Sequence, residues 1–110
     1  LGMCSGGTGL CPGTGCSGET CWRGTDQSDQ LKTAADCFGG VQCGISGFEA
    51  LLTGVLGSVF FGIGNETYFW TSTESSTAAW ARYLELCCPW VERQNSYSKQ
   101  SGISVRCVKD

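Results

Sequence analysis

The chain has 110 residues, the size of one small domain, with 17 glycines, nine cysteines and no histidine. Ten acids against seven bases leave a net charge of −3 with no cluster of Lys or Arg, so the counterion-displacing stripe that nucleic-acid binding needs is missing. Without histidine there is no Ser-His-Asp triad, Cys-His dyad, His-ligated zinc or haem, or imidazole pH switch.

Along the chain, residues 1–24 form a Gly/Ser/Thr-rich segment holding Cys4, Cys11, Cys16 and Cys21 with little to bury. Such a stretch does not offset its own backbone entropy, so disulfides are its expected anchors. Gly13 to Gly18 matches GxGxxG, but the strand before it and the helix after it that a dinucleotide site requires are absent, and it reads as a chance match. The chain begins at Leu1 with no basic or apolar leader, and it is expected to be a processed product or a fragment.

Residues 26–36 form the best helix candidate, capped by Asp26 or Ser28, with Asp29 at its positive end and Gly39-Gly40 as the stop. Phe48 to Leu52 fits either a helical turn or a buried strand. From Val55 onward the pattern is β: Val59-Phe60-Phe61 and Tyr68 to Thr71, bounded by Gly62, Gly64 and Asn65. Alternation over Ala79 to Leu86, Val91 to Gln94 and Ile103 to Val108 predicts three strands in an antiparallel meander with one buried face. No apolar run approaches a membrane span, since the longest, Val55 to Phe61, is broken by Gly57 and Ser58.

The remaining cysteines are Cys37, Cys43, Cys87, Cys88 and Cys107. No CxxC pair is present, so thiolate-bound zinc is disfavoured and neither a metal nor a cofactor is expected. The cysteines therefore read as disulfides made in an oxidising compartment, although pairing eight of them leaves about 945 frameworks open. Adjacent Cys87 and Cys88 are expected to take separate partners, and Cys107 is expected to tie the last strand to Cys11. The odd count leaves one free thiol or one bridge between chains.

Glu85 and Glu92 are placed to face each other across a hairpin through Cys87-Cys88-Pro89-Trp90. Catalysis by such a pair needs a cleft and a raised pKa, and on a solvent-washed hairpin the expectation is that the protein is not an enzyme. Most aromatics read as core, with Trp90 at the hairpin tip expected to expose its ring as a recognition anchor. Asn65-Glu66-Thr67 is an N-glycosylation sequon, of consequence only in a source that glycosylates secreted proteins.

Gly47-Phe48-Glu49-Ala50-Leu51, Phe60 to Asn65, Tyr68 to Glu74, Ala79 to Leu84 and Gly102 to Asp110 follow one another in an order and spacing that resemble the Fibrobacter succinogenes major paralogous domain family over residues 47–110. That resemblance implies a bacterial domain, secreted or attached to the cell surface, with a C-type-lectin-like α+β fold. One or two helices would pack on a twisted antiparallel sheet, and residues 1–110 would form a single domain. The family's CP-x-GWHLP motif is missing apart from Cys11-Pro12-Gly13.

Between the family-like anchors lies an unusual insert containing Glu85, Leu86, Pro89, Trp90, Glu92, Gln94 and Asn95. A constant frame around such an insert resembles C-type-lectin-like proteins diversified by retroelements. The resulting expectation is a recognition module that binds a protein or glycan through residues 85–95, without membrane insertion. The alternative is a structural surface or fibre subunit assembling through the same surface and an inter-chain disulfide.

Overall fold

A computed structural model describes residues 21–37, 43–86 and 88–109, with the backbone alone for residues 21–23. Cys4, Cys11, Cys16, Cys87, the Gly13 to Gly18 match and Gly39-Gly40 lie outside the described residues, as does the side chain of Cys21. The described residues form a small mixed sheet with little helix, an α+β arrangement. Its strands are β1 (Cys21–Arg23), β2 (Thr53–Leu56), β3 (Phe60–Ile63), β4 (Glu66–Ser75), β5 (Ala78–Glu85) and β6 (Val91–Ser98), in the spatial order β1-β6-β5-β4-β2-β3.

The meander is β4-β5-β6, antiparallel throughout. Its centre, β5, buries Trp80, Ala81, Tyr83 and Leu84 on alternate sides, so both faces of the sheet are covered rather than one. On one face Tyr83 stacks on Tyr68 with ring centroids 4.4 Å apart, and Tyr97 meets Tyr68 edge-on at 4.8 Å. These rings, with Val55, Cys88 and Ile103, make the main core, against which Trp70 and Trp90 pack. On the other face Phe48 meets Phe69 edge-on at 5.4 Å.

The sheet is not wholly antiparallel as expected. β2 pairs antiparallel with β3 and parallel with β4, through Gly54 and Thr67. The chain reverses twice, and β3 takes the outer side of β2 while β4 takes the inner side. Gly54 makes this possible: its φ is +73°, and a Cβ there would press on the Phe61 carbonyl oxygen.

Beyond Gly54 and Thr67 the residues of β2 and β4 no longer pair, and the C-terminal segment joins both strands. Gly102 exchanges backbone hydrogen bonds with Leu56 at 2.8 and 2.9 Å, while Ser104 donates to the Tyr68 carbonyl and accepts from the Trp70 N–H, each at 3.1 Å. The Thr53 hydroxyl reaches Thr67 Oγ1 at 3.0 Å and Ser104 Oγ at 2.9 Å. The expected strand over residues 103–108 thus shrinks to isolated bridges at Gly102 and Ser104, with Val105 and Val108 exposed.

The expected helix over 26–36 is also shorter. α1 spans Gln27–Leu31, followed by a single 3₁₀ turn over Ala34–Asp36. The backbone becomes extended at Lys32, where the chain bridges to Ala50 and the Lys32 side chain is fully buried. Asp26 occupies the N-cap without capping; its Oδ1 accepts from Gln30 Nε2 at 3.0 Å. Residues 48–52 are neither helix nor strand apart from the bridge at Ala50.

Cys37 and Cys43 form a disulfide with Cα atoms 5.7 Å apart, and Cys88 is also disulfide-bonded and fully buried. Cys107 corrects an expectation: its thiol is free and exposed rather than bound to Cys11. The cause lies in the C-terminal segment, which leaves the sheet after Ser104 and carries Cys107 into solvent. Among the described residues no helix is long and apolar enough to cross a membrane. The disulfides are consistent with an extracellular location.

Candidate recognition surface

The β5–β6 hairpin is fixed from beneath by Lys32. Its ammonium donates to the carbonyls of Glu85 at 2.8 Å, Leu86 at 3.0 Å and Cys88 at 3.1 Å. It also forms an ion pair with Asp29 Oδ1 at 3.0 Å. Burial pushes the lysine below its ordinary pKa, and the hydrogen bond and charge of Asp29 oppose that shift. The Ser28 N–H adds a bond to the Pro89 carbonyl at 2.9 Å, and the Leu86 N–H donates to the Asn65 carbonyl at 2.8 Å. A turn that would otherwise flex is held by five bonds to groups outside it.

Of the expected binding residues, Glu85 and Leu86 lie where β5 ends, Pro89 and Trp90 in the turn, and Glu92, Gln94 and Asn95 on β6; all are half-buried. Register places Glu92 opposite Tyr83 and Gln94 opposite Ala81. Ala81 in turn faces Trp70 on β4. Glu92, Gln94 and Trp70 therefore share the face that carries the tyrosine core. Gln94 Nε2 donates to Glu92 Oε1 at 2.7 Å, and the Ser96 hydroxyl donates to Gln94 Oε1 at 3.2 Å. Asn95 falls in a bulge, where β6 uses two residues between the partners of Ala79 and Ala81 and β5 uses one.

Two expectations are corrected here. Trp90 is half-buried and packed against the main core, because the buried Cys88 two residues earlier draws the turn inward. Glu85 does not face Glu92 but Glu66 on β4, since Glu92 pairs with Tyr83, two residues before Glu85 on β5.

The same face is acidic. Desolvation raises the carboxyl of Glu85, and neighbouring Glu66 adds to this, while Tyr83 and Lys32 pull it back. Desolvation likewise raises Glu92, opposed by its bond to Gln94 and reinforced by the charge of Glu85. The Tyr83 hydroxyl donates to Glu66 Oε2 at 3.0 Å, whereas Glu66 Oε1 is buried with no hydrogen-bond partner among the described residues. Burial raises Tyr68, Tyr83 and Tyr97 above the usual phenol value. No cluster of His, Cys, Asp and Glu suited to holding a metal occurs among the described residues.

Lys32 and Glu66 are the members that sequence reasoning missed. Lys32 sits three residues after Asp29, which on a helix reads as an ordinary exposed pair; the neighbouring Gly-poor, acid-flanked stretch carries no mark of burial. In the sequence Glu66 stands out only as the middle of a sequon. Comparison with protein-family models, curated proteins and solved structures gives no match to this chain.

Proposed function

We propose that the chain is a recognition module of C-type-lectin-like fold, secreted or displayed at a cell surface, that binds a protein or glycan ligand through residues 85–95. The family resemblance over residues 47–110 supports the fold and the location. The observation that carries the binding reading is the buried Lys32 pinning the β5–β6 turn through three carbonyls. A loop ordered before contact loses little entropy on binding. Beside that turn, Glu92 and Gln94 form a hydrogen-bonded pair in register with Trp70, a combination suited to sugar hydroxyls and apolar sugar faces.

The test is binding of the labelled protein to an array of glycans and immobilised proteins, repeated with E92A and Q94A. Loss of a hit by about tenfold in both variants, the weight of a hydrogen bond to a charged group, supports the reading. Hits that survive both substitutions unchanged refute it.

A second reading, a structural surface or fibre subunit, is favoured by the exposed Cys107 thiol and by exposed Phe60, Phe61 and Ile63 on the edge strand β3. It predicts a covalent dimer on non-reducing electrophoresis, formed through one Cys107–Cys107 bridge, that C107S abolishes. A sharp monomer refutes it.

A further inference from the structure

The opposite face of the hairpin carries a different chemistry. Arg82 on β5 and Arg93 on β6 stand directly opposite each other, so this face brings two guanidinium groups to one place. The Arg93 guanidinium lies over the Trp80 ring, 4.2 Å from its centroid, so its plane is held by stacking. Its Nε is buried and has no hydrogen-bond partner among the described residues.

Both arginines line a cleft of about 320 Å³ whose other described walls are Gly24, Gln27 and Val91. Arg82 and Val91 are shared with a second cavity of about 250 Å³, lined otherwise by Leu31, Phe48, Phe69 and Leu84. A cationic mouth thus opens beside an apolar chamber, and no described acid lines either space. Gly24, in its wall, has a φ of +94°, a conformation that favours glycine.

We propose that this pair of cavities binds a small organic carboxylate bearing an apolar group. The carboxylate lies against the Arg82–Arg93 pair, where guanidinium forks match its two oxygens, and the apolar group fills the chamber beneath Phe48 and Phe69. The chamber suits a phenyl ring or a short alkyl chain, being near the lower end of ligand-pocket sizes, about 300 Å³. The site is independent of the recognition surface, because Glu92 and Gln94 point to the other side of the sheet from Arg93.

The experiment is an NMR titration of the full chain with 3-phenylpropionate, following the backbone amides of β5 and β6 and the Arg93 Nε–H. The parallel probes are 3-phenylpropanol, which lacks the charge, and acetate, which lacks the ring. The expected result is a shift of the Arg93 Nε–H and binding of phenylpropionate about tenfold tighter than either control, with R93Q losing that advantage and R93K recovering only part of it. If R93Q alters the circular dichroism spectrum, Leu31→Phe takes its place: it fills the chamber and must weaken phenylpropionate while leaving acetate unchanged. Equal binding of the alcohol, absence of any shift at saturating probe, or full affinity in a folded R93Q overturns the proposal. None of these outcomes bears on array binding through Glu92 and Gln94.

Discussion

The ammonium of Lys32 lies 3.0 Å from Asp29 Oδ1, and both side chains are withdrawn from solvent, at 0% and 3% exposure. A charge pair so placed is held by the groups around it as much as by itself, and removing one partner strands the other. Lys32→Met is therefore expected to cost about 3–5 kcal/mol, because it leaves the Asp29 carboxylate buried without its cation and frees the carbonyls of Glu85, Leu86 and Cys88. Urea denaturation followed by circular dichroism measures the loss. A cost below about 1 kcal/mol, the range of an exposed ion pair, would show that the pair contributes little.

The acidic face predicts a dependence on pH. Glu85 and Glu92 are raised in the folded chain above the ordinary carboxyl value of 4.5, so the folded form holds these protons more tightly than the unfolded form. Their contribution to stability is complete below that ordinary value and disappears as pH rises through the higher folded values. The melting temperature should thus fall between mildly acidic and neutral pH. In the double variant E85Q/E92Q this slope should flatten; an unchanged slope assigns it to other groups.

Gly54 offers a backbone test. G54A forces a side chain into a left-handed conformation and against the Phe61 carbonyl, so a loss of about 1–3 kcal/mol is expected. It should be accompanied by faster amide exchange at the β2–β3 and β2–β4 pairs. Wild-type stability in this variant would mean that β2 tolerates a different path.

Cys107 should be the cysteine among the described ones that reacts in the native state. Alkylation of unreduced protein followed by peptide mapping is expected to modify Cys107 and to leave Cys37, Cys43 and Cys88 protected as disulfides. Because the thiol is exposed, C107S should change stability by no more than about 0.5 kcal/mol.

The strands that could be read in advance were those whose own residues alternate. Ala79 to Leu86 and Val91 to Gln94 announce β5 and β6 in this way and place Glu92 and Gln94 on one side, while the aromatic run Tyr68 to Thr71 announces β4 by composition. What could not be read depends on partners distant in the chain. The parallel pairing of Gly54 with Thr67, the position of Glu66 opposite Glu85, and the inward course of Lys32 are each decided by which strand arrives alongside. The Ile103 to Val108 pattern resembles a full strand, yet only Gly102 and Ser104 find backbone partners. Trp90 looked exposed because Pro89 marks a turn, and nothing local reveals that Cys88 beneath it is buried.

The placement of Gly102 to Ser104, bonded to Leu56 on one side and to Tyr68 and Trp70 on the other, bears on when the molecule can form. Segments more than thirty residues apart in sequence must meet before β2 and β4 are joined along their length. While the chain is still being synthesised, the β4-β5-β6 meander can assemble from neighbouring residues, with the β2–β3 ribbon joined to it by the Gly54–Thr67 pair and by Val55 in the core. Final closure waits until residues 102–104 leave the ribosome. Closure leaves the apolar rim of the ribbon as it was, since Val59, Phe60 and Ile63 stay exposed in the finished fold.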